Sequence, residues 1–379
     1  MTSSPGSVPV RHRVRRAGVL ITGGVLAAVA ATAVATSVAP APAQALDACV
    51  SSALGTLKSG SASCSASGVL SVAIAIGANT TATVAGGLFN LAMAVGDGSV
   101  ADTTPVATYT NFAIATAWSG GYAVAGDGNF NIATAVLSDS VAAAGGNGLG
   151  TTADFGMAQA FGNGALAVTG AQAAEGLPGF YSAFNVSRAL GTAAQAIATN
   201  GNFLLSSAFG SNTAAISGAL FAGRAEVPVV SAFNVARAIG NDGTDARALG
   251  GFFLFASARG SGAASVAANG NFNLAGTIGV LSLAAAQDGS GNIAGTIGTL
   301  SVARAGGNFD NPTGNDRNSA LVFGDNSSAT AGVPPYAPAG AGPVSGRHVI
   351  SIGNSHSKSD KPAATSSQRS ARTRSAAAK

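Results

Sequence analysis

Between residues 70 and 324, apolar and small residues alternate with a period of two in short runs, and the runs share one eight-residue form. That form is Phe, Asn, an aliphatic residue, Ala, a variable residue, Ala, a large apolar residue and Gly. FNVSRALG at 184 and FNVARAIG at 233 are its clearest copies. LSVAIAIG at 70, FNLAMAVG at 89, FAIATAWS at 112, FNIATAVL at 130, FGMAQAFG at 155 and FLLSSAFG at 203 follow it with losses. So do FLFASARG at 253, FNLAGTIG at 272, GNIAGTIG at 291 and a degraded RNSALVFG at 317. Start-to-start spacings are 19, 23, 18, 25, 29, 19, 30, 20, 19, 19 and 26, so the repeat has a basic period of about 19 with insertions in the longer gaps.

A period of two predicts strands, because a helix would place its apolar residues every 3.6 positions and would not close most units with Gly. Proline gives an independent test: Pro105, Pro178, Pro228 and Pro312 all fall in the long gaps and never inside a unit. Proline cannot donate to a strand ladder, so this confinement identifies the units as strands. Each unit is followed by a second alternating run, such as YAVAG at 122–126, ALAVTG at 165–170 or LSVARAG at 300–306, and by turns of Gly, Asp and Asn. Two short strands with two turns make one coil. The predicted fold is all-β, a β-solenoid or β-roll of about twelve degenerate coils of ~19 residues, roughly 50–60 Å long at ~4.8 Å per coil.

The stretch AIAIGANTTATVAGGLFNLAMAVGDGSVA at 73–101 resembles the head repeats of trimeric autotransporter adhesins. The matching residues are Val72-Ala73-Ile74-Ala75-Ile76-Gly77, Ala92-Met93-Ala94-Val95-Gly96 and Ser99-Val100-Ala101. In that family short strands coil into a left-handed β-roll and three rolls pack side by side. The resemblance therefore implies a roll and oligomerisation; it covers one or two repeats closely and the rest of 70–324 in style, the family's own period being shorter. In composition the chain also resembles Gly/Ala-rich secreted proteins of actinobacteria.

The N-terminus bears on location. Arg11, Arg13, Arg15 and Arg16, an apolar stretch from Ala17 to Val38 and the small-residue exit APAPAQA at 39–45 have the three parts of a secretory signal peptide, with cleavage expected after Ala45. An uncleaved membrane anchor is the alternative, and the Arg15-Arg16 pair admits a twin-Arg export signal. Without residues 1–45, Lys+Arg falls from 19 to 15 against 15 Asp+Glu, so the nominal charge of +4 becomes zero. Cys49 and Cys64 follow the cleavage point, and in an exported chain they are expected to form a disulfide, worth about 3 kcal/mol by loop closure. The rival is a lipidated Cys49, which would orphan Cys64. The expected organisation is a signal peptide over 1–45, a disulfide-bearing cap over 46–67, the solenoid over 68–331 and a disordered Pro/Ser-rich basic tail over 332–379. The localisation expected is secreted or cell surface.

Which strand face is buried divides two arguments. Burial energetics favour the odd face inward, with its Phe and its Val, Leu or Ile, since hiding a Phe is worth roughly 1.5–3 kcal/mol. Arg188 and Arg237 occupy that same face and argue against it. With Phe inward, the outward face is a flat sheet of Ala edged by Asn. Asn90, Ala94, Asn131, Ala135, Asn185, Asn234 and Asn273 are then the candidate interaction face for self-association or for a cell-envelope or host surface.

No constellation for catalysis emerges. His12, His348 and His356 all lie outside the repeats, and no phosphate-binding glycine pattern occurs. Asp97, Asp127, Asp242, Asp288 and Asp325 sit in turns, where Gly-Asp-Gly is ordinary turn chemistry and calcium ligation or paired-carboxylate glycoside cleavage are the alternatives. Lys358, Lys361, Arg369, Arg372, Arg374 and Lys379, opposed only by Asp360, make the tail basic. Such a tail suits anionic envelope polymers or lipid head groups better than nucleic acid outside a cell. The expected function is an exported, non-enzymatic structural or adhesive repeat protein without cofactor. Membrane contact is expected only through an uncleaved signal segment, and a carbohydrate- or calcium-binding solenoid is the alternative.

Overall fold

The computed structural model describes residues 47–103, 110–146, 152–170, 181–218, 231–306, 316–332, 348–352 and 356–358, apart from residues 163, 192, 211, 241, 242 and 261. They form a β-solenoid without helices. A wide sheet of fifteen strands and a narrow sheet of fourteen run its length, and two-stranded ladders and single bridges form a short third edge. From Val72–Ile76 onward the wide sheet is parallel, and each coil contributes five residues to it, or four at Phe255–Ala258. Its register reproduces the repeat spacing: Val72 pairs with Leu91, Leu91 with Ile114, Ile114 with Ile132 and Ile132 with Met157.

The N-terminus is closed differently. Strand β1 (Ala48–Ser52) pairs antiparallel with β2 (Gly55–Ser59) on one side and with β4 (Val72–Ile76) on the other, while β3 (Ser63–Ala66) opens the narrow sheet. Cys49 and Cys64 form a disulfide that ties β1 to β3 across the interior, with 5.6 Å between their Cα atoms. The far end also departs from expectation. His348–Ile352 and His356–Lys358, within the segment expected to be a disordered tail, add one more strand to each sheet, Ser319 pairing with His348 and Ser328 with His356.

The core is made of the face expected to be outside. Ala73, Ala75, Ala92, Ala94, Ala133 and Ala135 of the wide sheet are fully buried, as are Ala82, Ala101, Ala123 and Ala142 of the narrow one. The reason is width. In every coil, residues of the wide and narrow strands approach within 8 Å, Cα to Cα, closer than the ~10 Å of ordinary stacked sheets. Methyl groups fill such a gap and a phenyl ring does not. The per-residue gain from burying Phe is real, but a coil of this perimeter has no interior volume in which to collect it. Some interior hydroxyls cross to the opposite side of the coil: Ser217 Oγ donates to the Asn234 carbonyl at 2.6 Å and Thr277 Oγ1 to that of Ala264 at 2.7 Å.

Candidate functional site

The corner that opens each unit is where the sequence pattern and the geometry meet. Leu70, Phe89, Phe112, Phe130, Phe155, Phe184, Phe203, Phe233, Phe253, Phe272 and Arg317, the residues that begin the units, all have φ between 52° and 60°, and Gly291 has φ of 71°. A side chain in this left-handed region costs roughly 1–2 kcal/mol, and Gly or Asn would hold the corner more cheaply. The Phe side chains gain contact with each other instead. Phe89 to Phe272 form a continuous stack of nine rings with centroids 4.6–5.1 Å apart, most of them within 6° of parallel. Eight such steps make a ridge about 40 Å long on the outside of the solenoid. Since each ring covers its neighbours' faces, the ridge offers solvent the ring edges.

The next residue points inward, and where it is Asn it pins the corner. Asn90 Nδ2 donates to the carbonyls of Gly86 (3.0 Å) and Thr110 (2.8 Å), while its Oδ1 accepts from the Ala113 N–H at 2.9 Å. Asn131, Asn185, Asn234 and Asn273 repeat the arrangement, their Oδ1 atoms accepting from the N–H of Gly156, Leu204, Leu254 and Asn292 at 2.9–3.0 Å. Asn90, Asn131, Asn185, Asn234 and Asn273 are therefore interior struts between coils, and Ala94 and Ala135 are core. This corrects the candidate interaction face: its seven residues come together as a group, but inside the tube.

The surface left outside is the odd face. Along the wide sheet, one outer column runs Val72, Leu91, Ile114, Ile132, Met157 and on to Ile293, and another runs Ile76, Val95, Trp118, Val136, Phe161 and on to Phe323. Ile114, Trp118, Leu190, Leu205, Ile278 and Ile297 are among its exposed members. The middle column begins with Ile74 and Met93, passes through Thr116 and Thr134, and falls to Ser257, Gly276 and Gly295. The glycines open a shallow groove of about 330 Å³ between the flanking Ile278, Ile297 and Phe323. Arg188 and Arg237 also stand in the middle column, and Arg188 lies about 6 Å from the ring centres of both Phe161 and Phe209. From Val72 to Phe323, no carboxylate stands on this outer face among the described residues.

The turn acids do not converge. Asp97 and Asp325 lie between wide and narrow strands at opposite ends of the tube, where Oδ1 accepts from the N–H of Ala78 (2.8 Å) and of Thr299 (2.6 Å). The Thr299 hydrogen bonds hold the Asp325 carboxyl below its ordinary range. Asp127 and Asp288 are buried at a different corner, and Asp242 lies outside the described residues. Among the described residues no group of three or more His, Cys, Asp or Glu is placed to hold a metal ion. Burial raises the Asp288 carboxyl above its ordinary value of 3.8. Asn269 favours the charged form only from outside full hydrogen-bond geometry, since neither Asp288 oxygen has a partner at that geometry. A raised folded value means this group stabilises the fold fully below pH 3.8 and loses that contribution as pH rises through the folded value. Asp288→Asn is accordingly expected to raise the melting temperature at pH 7 and to leave it unchanged near pH 3, measured by thermal denaturation at both values.

The Cys49–Cys64 bridge is present as expected. Lys358 lies in the last described strand, whereas Lys361, Arg369, Arg372, Arg374 and Lys379 lie outside the described residues, as do Pro105, Pro178, Pro228, Pro312 and the expected signal segment. Sequence reasoning missed the outer ridge and face, although Arg188 and Arg237 already marked the odd positions as outward. What fold and surface define is a parallel β-solenoid with an Ala core, an external aromatic ridge and one flat apolar face. Compared with protein families, curated proteins and solved structures, the chain matches none.

Proposed function

We propose that this is an exported structural or adhesive repeat protein that works by self-association through the outer face of its wide sheet. One observation carries the reading: the large apolar side chains of a thirteen-coil ladder face solvent while methyl groups fill the core. Thirteen strands at ~4.8 Å and five residues at ~3.3 Å give a face of about 1,000 Å², well beyond the patches monomers usually expose. One partner's share of a standard stable interface is about 800 Å², so a second copy is large enough to cover it. Relief supports the same partner. Ile74 and Met93 rise near one end of the middle column and Gly276 and Gly295 fall near the other, so a two-fold axis would set ridge over groove. The resemblance of 70–101 to adhesin head repeats, whose rolls pack side by side, points the same way.

Export is supported by the signal-like N-terminus and by a disulfide, which fits an oxidising extracellular environment. Along its length, apart from the end ring Phe272, the aromatic ridge offers ring edges, whereas stacking a sugar along it needs ring faces.

Ile293→Lys with Ile297→Lys is expected to abolish association in sedimentation velocity while shifting the melting temperature by only a few degrees, because both side chains are exposed. A wild type that sediments as a monomer at tens of micromolar would overturn self-association. Arg188 and Arg237 favour a second reading, adhesion to an anionic envelope polymer, and salt separates the two. Contact between copies whose face carries only arginine charge should tighten with added salt, and an arginine-to-polyanion contact should weaken.

A further inference from the structure

The aromatic ridge stops one rung short of its last cation. After Phe272, the corner position passes to Gly291, which keeps the left-handed conformation at φ of 71°, and then to Arg317 at φ of 55°. The other eight rings of the stack are 38–49% exposed, but Phe272 is 64% exposed, since among the described residues none covers its outer face. Below it is a recess of about 450 Å³ lined by Phe272, Ser290, Gly291, Asp316 and Arg317. Its floor is fixed by backbone bonds. Gly291 N–H donates to the Asn271 carbonyl (2.8 Å), Arg317 N–H to the Ser290 carbonyl (2.8 Å), and Ser290 N–H to Asp316 Oδ1 (2.6 Å). A Cβ on Gly291 would lie 3.5 Å from Arg317 Cγ, so the arginine chain borders the empty rung from the far side. Two ladder steps separate Phe272 from Arg317, about 10 Å, which is the room one ring occupies elsewhere in the stack.

We propose that the missing rung binds one planar, uncharged, electron-rich aromatic ring of a small molecule, of about indole size, stacked on Phe272 and closed by Arg317. The ring face turned to Phe272 finds the offset stacking that the ladder already uses, and the opposite face receives the arginine cation. Asp316 and Arg317 together bring no net charge to the recess, which selects an uncharged ring. The site is preformed, so binding requires no rearrangement of the coil.

Indole titrated into the protein from Leu46 onward, followed by NMR, is expected to bind saturably at one site, with a dissociation constant on the order of a millimolar and upfield shifts of the Phe272 ring protons. Gly291→Phe should weaken binding at least tenfold. It should still fold, because nine siblings already hold Phe at this conformation. Gly291→Asn, a residue at ease in the left-handed region, blocks the same space should the larger variant misfold. Arg317→Leu should weaken binding severalfold without moving the Phe272 shifts elsewhere. Non-saturable binding by the wild type would overturn the proposal, and so would undiminished binding by a folded Gly291 variant.

Discussion

Lysine at both Ala94 and Ala135 is expected to abolish the cooperative fold rather than to disturb a surface. Each methyl group is fully buried and stacked between alanines of the adjoining coils, Ala94 between Ala75 and Ala117, Ala135 between Ala117 and Ala160. With the opposing strand within 8 Å there is no path by which an ammonium group reaches water. The charge is buried unpaired or the coil opens, at a cost of several kcal/mol per site. Two such sites rival the ~5–15 kcal/mol that holds an ordinary domain together. Loss of the β-signal in far-UV circular dichroism is the readout, with Thr116→Lys and Thr134→Lys as controls. Those residues lie in the same stretch of the wide sheet but face out, and their substitution should leave the melting temperature within a few degrees. If the alanine variant melts like the controls, the interior has been assigned to the wrong face.

Asn234→Ala should be strongly damaging for a single truncation of a polar group. The side chain is fully buried, donates to the Leu249 carbonyl at 2.6 Å and accepts from the Leu254 N–H at 3.0 Å. Alanine leaves both backbone groups in a methyl-lined interior, at about 1–3 kcal/mol for each group unpaired. The expected result is a fall of ~2–4 kcal/mol in urea unfolding at unchanged denaturant slope. A fall below about 0.5 kcal/mol would mean that water takes the place of the amide.

The repeat was legible because stacking makes it so. Parallel coils in register place equivalent residues beside each other, and each of the twelve unit starts read from the sequence is a left-handed corner of the structure. The thirteenth coil escaped notice because GRHVISIG at 346–353 keeps the alternation and the closing Gly but has lost Phe, Asn and Ala, the residues that define the pattern. The direction of the faces was misjudged for a different reason. Hydrophobicity ranks side chains by what burial is worth, whereas a narrow tube selects by what fits, and the two criteria agree in ordinary domains. The Asn residues were read as an edge for the same reason: a polar amide next to a large ring looks solvent-facing until the backbone groups of the neighbouring corner are counted.

The antiparallel cap gives the tube a direction. Strand β1 runs against β4, and β2 against β1, so the first coil meets a closed, disulfide-tied edge, whereas every later coil rests on a parallel predecessor that is a template for the next. Coils are thus interchangeable modules threaded on one fixed end. Excising one whole module, such as the nineteen residues from Phe272 to Ser290, would join Gly291 to Asn271 with every remaining ladder in register. Length in this architecture is a variable that can be edited without redesigning either end.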